Sequence, residues 1–145
     1  RMKGYLRAFR DRRLTPPGEA IVRFATEDKT SRPHEALRRL LQSERPPTAV
    51  VCYNDQLAVS LLDVVRELGL RVPEDLSIVG FDDSYLAVAT EIKLTTVAHP
   101  KSELGERAAL TLLSMLEKGG AAADTVFESK LVVRQSTAPP REATP

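Results

Sequence analysis

Three short apolar runs, "TAVVCY" (48–53), "DLSIVGF" (75–81) and "LTTVAHP" (94–100), each lead into a helical pattern. That alternation constrains the fold more than any other feature of the chain. A run apolar at consecutive positions reads as a strand covered on both faces, as strands in parallel sheets are. A helix between two such strands makes a crossover, and crossovers are nearly always right-handed. The expected fold class is therefore α/β, a mainly parallel sheet with helices on both faces.

The helical patterns are explicit. Met2, Tyr5, Leu6 and Phe9 fall at i, i+3, i+4 and i+7, so they share one helix face. The opposite face carries Arg1, Lys3, Arg7, Arg10, Arg12 and Arg13, and "TPPG" (15–18) ends the element. It lacks the turn and partner helix of a DNA-reading helix-turn-helix, so the charge reads as a solvated face. "AIVRFA" (20–25) is expected as a short strand, and Ser31 as the cap of a helix over 32–42 with Ala36, Leu37, Leu40 and Leu41 inward. Helices are expected over 55–68, with Gly69 at the C-terminal cap, and over 84–89. A strong amphipathic helix spans 101–118, closed by Gly119 and Gly120. "TVFESKLVVRQS" (125–136) alternates like an edge strand, and "TAPPREATP" is expected to be disordered.

Composition bounds the function. At 145 residues the chain suits one domain, which buries about 68–70% of its unfolded surface. A net charge of +1 gives no global field for nucleic acid or an acidic membrane. No apolar stretch approaches the roughly 20 residues that span a bilayer. The lone Cys52 cannot form an internal disulfide, which fits a reducing compartment. Helical periodicity is already under way at Arg1, so the chain reads as a fragment whose natural N-terminus is missing, and the absence of a signal peptide says nothing.

In open α/β sheets ligands bind beyond the carboxyl ends of the strands. Three such ends carry hydrogen-bonding side chains: Asn54, Asp82 and His99. An amide both donates and accepts, an ionised carboxylate accepts from two hydroxyls, and imidazole adds another partner. The set suits a neutral polyhydroxylated ligand better than a phosphate, which calls for glycines and backbone N–H groups. Capping accounts for the same residues equally well: Asn54, Asp55, Asp82 and Asp83 are all good N-caps, and His99 precedes Pro100 at a helix start. No phosphate loop, nucleophile elbow, HExxH or CxxC occurs. His34, His99 and Cys52 make a poor metal inventory. No metal or cofactor is expected and an enzyme is disfavoured, a carboxylate hydrolase with an Asp base being the enzymatic alternative.

The blocks "RMKGYLRAF", "PTAVVCYNDQLAV", "LRVPEDLSIVGFDDS", "LTTVAHPKSELGERAA" and "FESKLVVRQS" stand in the order and spacing of the LacI/GalR family of transcriptional repressors. The chain resembles that family's effector-binding region from Arg1 to about Ser136. The wording "CYNDQLA", "HPKSELG" and "VFESKLVVRQS" is similar to its arabinose-responsive branch, in which a GntR-type winged helix is joined to this module. The resemblance implies the C-terminal lobe of a periplasmic-binding-protein-like (type I) fold whose two lobes close over a sugar. It carries ligand contacts onto Arg1, Asn54 and Asp82, and a position of variable identity onto His99. It implies L-arabinose as ligand, a cytoplasmic homodimer, no membrane, and operator DNA bound through a domain outside this chain. The alternative on the same fold is a periplasmic sugar-binding protein of a transport system.

The implied boundaries are 1–99 for the C-terminal lobe, 100–120 for a helix of the N-terminal lobe, 121–137 for a strand segment returning to the C-terminal lobe, and 138–145 for a disordered tail. Leu104, Ala108, Leu112, Met115 and Leu116 would then lack their usual sheet. Burying a Leu or Met contributes about 1.5–3 kcal/mol, so that stripe is expected to pack on another copy of the chain. Helix 55–68 carries two apolar sets, Leu57, Leu61 and Val64 against Ala58, Leu62 and Val65. The first set is expected at a dimer contact, with a fully buried core helix as the alternative.

Overall fold

The computed structural model describes residues 1–16, 21–23, 31–119, 121 and 123–140. Its elements are α1 (Met2–Asp11), α2 (Ser31–Leu41), β1 (Ala49–Val51), α3 (Asp55–Glu67), β2 (Ser77–Phe81), α4 (Leu86–Ala89), β3 (Thr95–Ala98), α5 (Lys101–Lys118) and β4 (Lys130–Val132). The strands form one sheet in the order β1-β2-β3-β4. β1, β2 and β3 run parallel, and β4 joins β3 antiparallel at the edge. The mainly parallel α/β fold expected from the apolar runs is the fold observed.

The core lies where α3 crosses the sheet. Leu76, Ile78 and Leu94 are wholly buried, with Ala58, Leu61, Val64 and Val65 of α3 against them. α2 covers a further side of α3 through a His34 Nε2···Ser60 Oγ contact of 3.1 Å and an Arg38–Glu67 ion pair. Helix α3 therefore has neighbours on two sides, which is why its apolar residues spread round more than one face. Leu61 and Val64, expected at a dimer contact, belong to this core, and only Leu57 of that trio keeps accessible surface. The core-helix alternative holds for those two positions.

Gly69 takes φ 69° and its N–H reaches Arg66 O, closing α3 as the spacing predicts. Of the strand expected over 20–25, only 21–23 lie within the described residues, and these are in no strand. The start of the segment expected as a disordered tail is tied down. Ser136 is fully buried, its hydroxyl accepting from Thr95 N at 2.8 Å and donating to Ile78 O. Thr137 Oγ1 meets Thr95 Oγ1 at 2.9 Å and Ala138 N donates to Ser77 Oγ at 3.1 Å. Residues 141–145 of that tail lie outside the described residues.

Two elements contribute nothing to the core. α1 has no buried residue, and the Tyr5 and Phe9 rings meet each other at a tilt, with centroids 5.0 Å apart and 54° between planes. In α5 every side chain from Lys101 to Glu117 is exposed except the half-buried Thr111, and Leu112, Leu113 and Leu116 stand open to solvent.

Candidate functional site

The site grows from the carboxyl ends of β1, β2 and β3. The β1 ladder continues one residue past the strand, Cys52 N donating to Val79 O at 2.8 Å, before Tyr53 and Asn54 turn the chain into α3. β2 ends at Phe81, and Asp82 N still donates to Val97 O at 2.9 Å. The next turn is tight. Asp82 and Asp83 both take positive φ, 107° and 44°, a region non-glycine residues occupy only when their surroundings impose it. Residues after β3 turn sharply too, Lys101 N donating to His99 O at 2.8 Å as α5 begins.

Arg1 reaches this corner from the start of α1. Its guanidinium carbon lies 4.3 Å from the centroid of the Tyr53 ring and 4.1 Å from that of Phe81. Its Nη2 donates to Asp82 Oδ1 at 3.3 Å. A planar cation between two ring faces is held by their quadrupoles, and that leaves its edge free to meet a carboxylate. The Phe81 ring in turn faces the His99 ring at 5.9 Å between centroids. His99 Nδ1 is buried without a hydrogen-bond partner among the described residues.

Beside this cluster opens a cleft of about 310 Å³ lined by Asp82, Asp83, His99, Lys101, Ser102 and Glu103 among others. A larger hollow of about 440 Å³ lies against α2, and no expected site residue lines it. The structure thus gathers Arg1, Asp82 and His99 at one corner. Asn54 turns its Oδ1 to its own helix, accepting from Leu57 N at 2.9 Å, so its oxygen caps α3. The capping role read from its sequence position is the one observed.

Tyr53 and Phe81 were not among the expected site residues, although each directly precedes one of them, Asn54 and Asp82. A ring ending a strand is mostly core, and only the neighbouring polar residue marks these two as different. Asp55 is the other residue not foreseen: it is 1% exposed, and both carboxylate oxygens are engaged away from its own helix. Burial, helped by the Asp55 charge, pushes the Cys52 thiol from an ordinary 9.0 to about 12. Cys52 is thus a neutral packing residue at the foot of the site, with no nucleophilic character. No group of three or more His, Cys, Asp or Glu side chains among the described residues is arranged to hold a metal.

A carboxylate and an imidazole lining one cleft, with a guanidinium beside them, suit the hydroxyls of a ligand. Such a set stands at the strand ends of a mainly parallel sheet. The chain belongs to the periplasmic binding protein-like domain family, whose pattern covers residues 1–137. It is 47% identical to the "Arabinose metabolism transcriptional repressor" of Halalkalibacterium halodurans over 145 residues, 95% of this chain and 39% of that protein. Among solved structures, a putative transcriptional regulator LacI from Bacillus cereus subsp. cytotoxis NVH 391-98 superposes with TM-score 0.84 at 27% identity, over 94% of this chain and 48% of that one. A transcriptional regulator CelR–cellobiose complex superposes with TM-score 0.78 at 29% identity, over 93% of this chain and 41% of that one. The chain spans about two fifths of the length of the curated relative it resembles. No helix among the described residues is long and apolar enough to cross a membrane.

Proposed function

We propose that this chain is the sugar-sensing part of a cytoplasmic transcriptional repressor, with L-arabinose as its effector. The observation that carries the reading is Asp82, which lines a cleft together with His99 and accepts from Arg1, whose guanidinium lies over the rings of Tyr53 and Phe81. Asp82 accepts sugar hydroxyls, Arg1 donates, His99 adds a contact near the crossover into α5, and the amide nitrogen of Asn54 offers a further donor. The name of the Halalkalibacterium halodurans relative supports arabinose, and the cellobiose-bound regulator supports a carbohydrate on this fold.

In this reading residues 1–99 and 121–137 form one lobe, and α5 lies against a second lobe that completes the cleft. Sugar favours the closed arrangement only by its greater affinity for that state. Closure reorients a pair of DNA-binding domains outside this chain and releases operator DNA. The homodimer contact uses the exposed margin of α3 at Leu57, since Leu61 and Val64 are committed to the core.

Calorimetric titration of the full-length protein with a small sugar panel tests the proposal. L-Arabinose binds in preference to hexoses, and Asp82→Ala weakens it by about ten- to a hundredfold, the cost of one buried hydrogen-bond partner. Asn54→Ala and His99→Ala weaken it less. Affinity for L-arabinose unchanged by Asp82→Ala rejects the assignment.

A further inference from the structure

One buried carboxylate ties together the chain after β1, the chain after β2 and the body of β3. Asp55 begins α3 directly after β1, and its Oδ2 accepts from Ser84 N at 2.6 Å while its Oδ1 accepts from Thr96 Oγ1 at 2.6 Å. Ser84 follows the β2 turn and Thr96 lies within β3. The space around it is cut to fit: a Cβ on Gly80 would collide with Asp55 Oδ1 and stand 3.3 Å from Thr96 Oγ1. Helix capping does not explain this carboxylate, because Asn54 already caps α3 through Leu57 N. Both oxygens of Asp55 cross to other elements. A carboxylate this buried persists where charge-assisted bonds replace its lost water, and two short ones do so here.

The same loop is gripped from its other side. Arg134 Nη2 donates to Asp83 Oδ1 at 2.7 Å while its Nη1 holds Leu94 O at 2.9 Å, and Lys101 Nζ donates to Asp83 O at 3.2 Å. Between Asp55 and these cations lie Asp82 and Asp83, both with positive φ.

We infer that Asp55 is the positioning residue of the sugar site: its grip on the Ser84 amide holds the Asp82–Asp83 turn in its left-handed form and so aims the Asp82 carboxylate at the ligand. The inference rests on the reading that Asp82 meets the sugar. It assigns Asp55 no contact with the ligand, and it makes Gly80 and Thr96 parts of the same device.

A double-mutant cycle in the full-length protein, read by L-arabinose calorimetry, tests it. Asp82→Ala and Asp55→Ala each weaken binding about tenfold or more, and the double variant is no weaker than Asp82→Ala alone, because Asp55 acts only through Asp82. Asp55→Asn recovers most of the loss: its oxygen still accepts from Ser84 N and its amide donates to Thr96 Oγ1. If Asp55→Ala does not fold, Thr96→Val, which removes one of the two bonds, takes its place in the cycle. Losses that multiply in the double variant, or a folded Asp55→Ala that binds like wild type while Asp82→Ala does not, overturn the positioning role. Wild-type binding by Asp82→Ala overturns the site reading instead, and the inference with it.

Discussion

The strand ends and helix α5 are joined at Pro100, yet they are opposite in construction. At the strand ends polar groups are buried and engaged: Asp55 and Thr96 have almost no accessible surface, and each makes bonds to other elements. In α5 apolar groups are exposed: Leu116 is 75% exposed and Leu112 58%. The contrast shows that local pattern and burial are separate facts. α5 forms over the residues its periodicity and closing glycine dictate, whether or not anything covers it. A buried carboxylate such as Asp55 exists only because three distant segments converge on it.

The largest test of the contrast is in stability. Leu76→Ala, at a wholly buried position, should destabilise the chain by about 2–5 kcal/mol through lost burial and the cavity left behind. Leu116→Ala should lower its unfolding free energy, read by denaturant titration, by no more than about 0.5 kcal/mol. Equal losses would mean that α5 is covered in solution. That outcome is expected at high concentration if the 145-residue chain self-associates through the stripe of Leu104, Leu112, Met115 and Leu116. Sedimentation equilibrium on the Leu112→Glu variant tells the two cases apart, since a charge in the stripe disperses such a dimer.

A smaller loss is expected at Arg134. Its side chain is 20% exposed and that of Asp83 30%, so Arg134→Ala breaks a sheltered, charge-assisted bond worth about 2 kcal/mol. Thermal melting measures it. The loss should shrink when Asp83 is also replaced, because the partner carboxylate is then no longer left unpaired. Next in size is Asn54→Ala, which removes the α3 cap and should cost about 1 kcal/mol.

How far the molecule was legible before its structure follows the same division. The apolar runs at 48–53, 75–81 and 94–100 give the parallel sheet, because covering both faces of a strand leaves a local signature. Strand lengths are overestimated: β4 is three residues long where twelve alternate, since past Val132 the chain bonds to Thr95 Oγ1, Lys93 O and Ile78 N and no longer follows a regular ladder. Arg1 and His99 both stand beside Asp82. Asp55 was legible only as one more N-cap, because a cap and a buried strut share the same residue type at the same place. Gly80 and Thr96 are the marks that separate the two, and they acquire meaning only once the register of Gly80 against Thr96 is known. Leu61 and Val64 fell on the wrong side for a related reason: a helix wheel shows that two faces are apolar, and α2 decides which of them solvent can reach.

The smallest effect expected is an absence of reaction, and it compares the two regions on one chemistry. Cys52 is 4% exposed and its thiol is pushed up to about 12, so iodoacetamide at about pH 8 should leave it unmodified in the folded chain. A cysteine placed at Leu113 on α5, which is 54% exposed, should react like a free thiol under the same conditions. Mass spectrometry counts the adducts. Rapid labelling of Cys52 would mean that the strand ends open far more readily than their bonding implies. The sign of the pH effect follows from the same shift. Between the ordinary 9.0 and about 12 the unfolded chain has lost the thiol proton and the folded chain has kept it, so the unfolded state binds fewer protons and stability falls as pH rises. The contribution is fully present below about pH 9 and disappears toward pH 12, whereas the cysteine at position 113, already in water, should add no such slope.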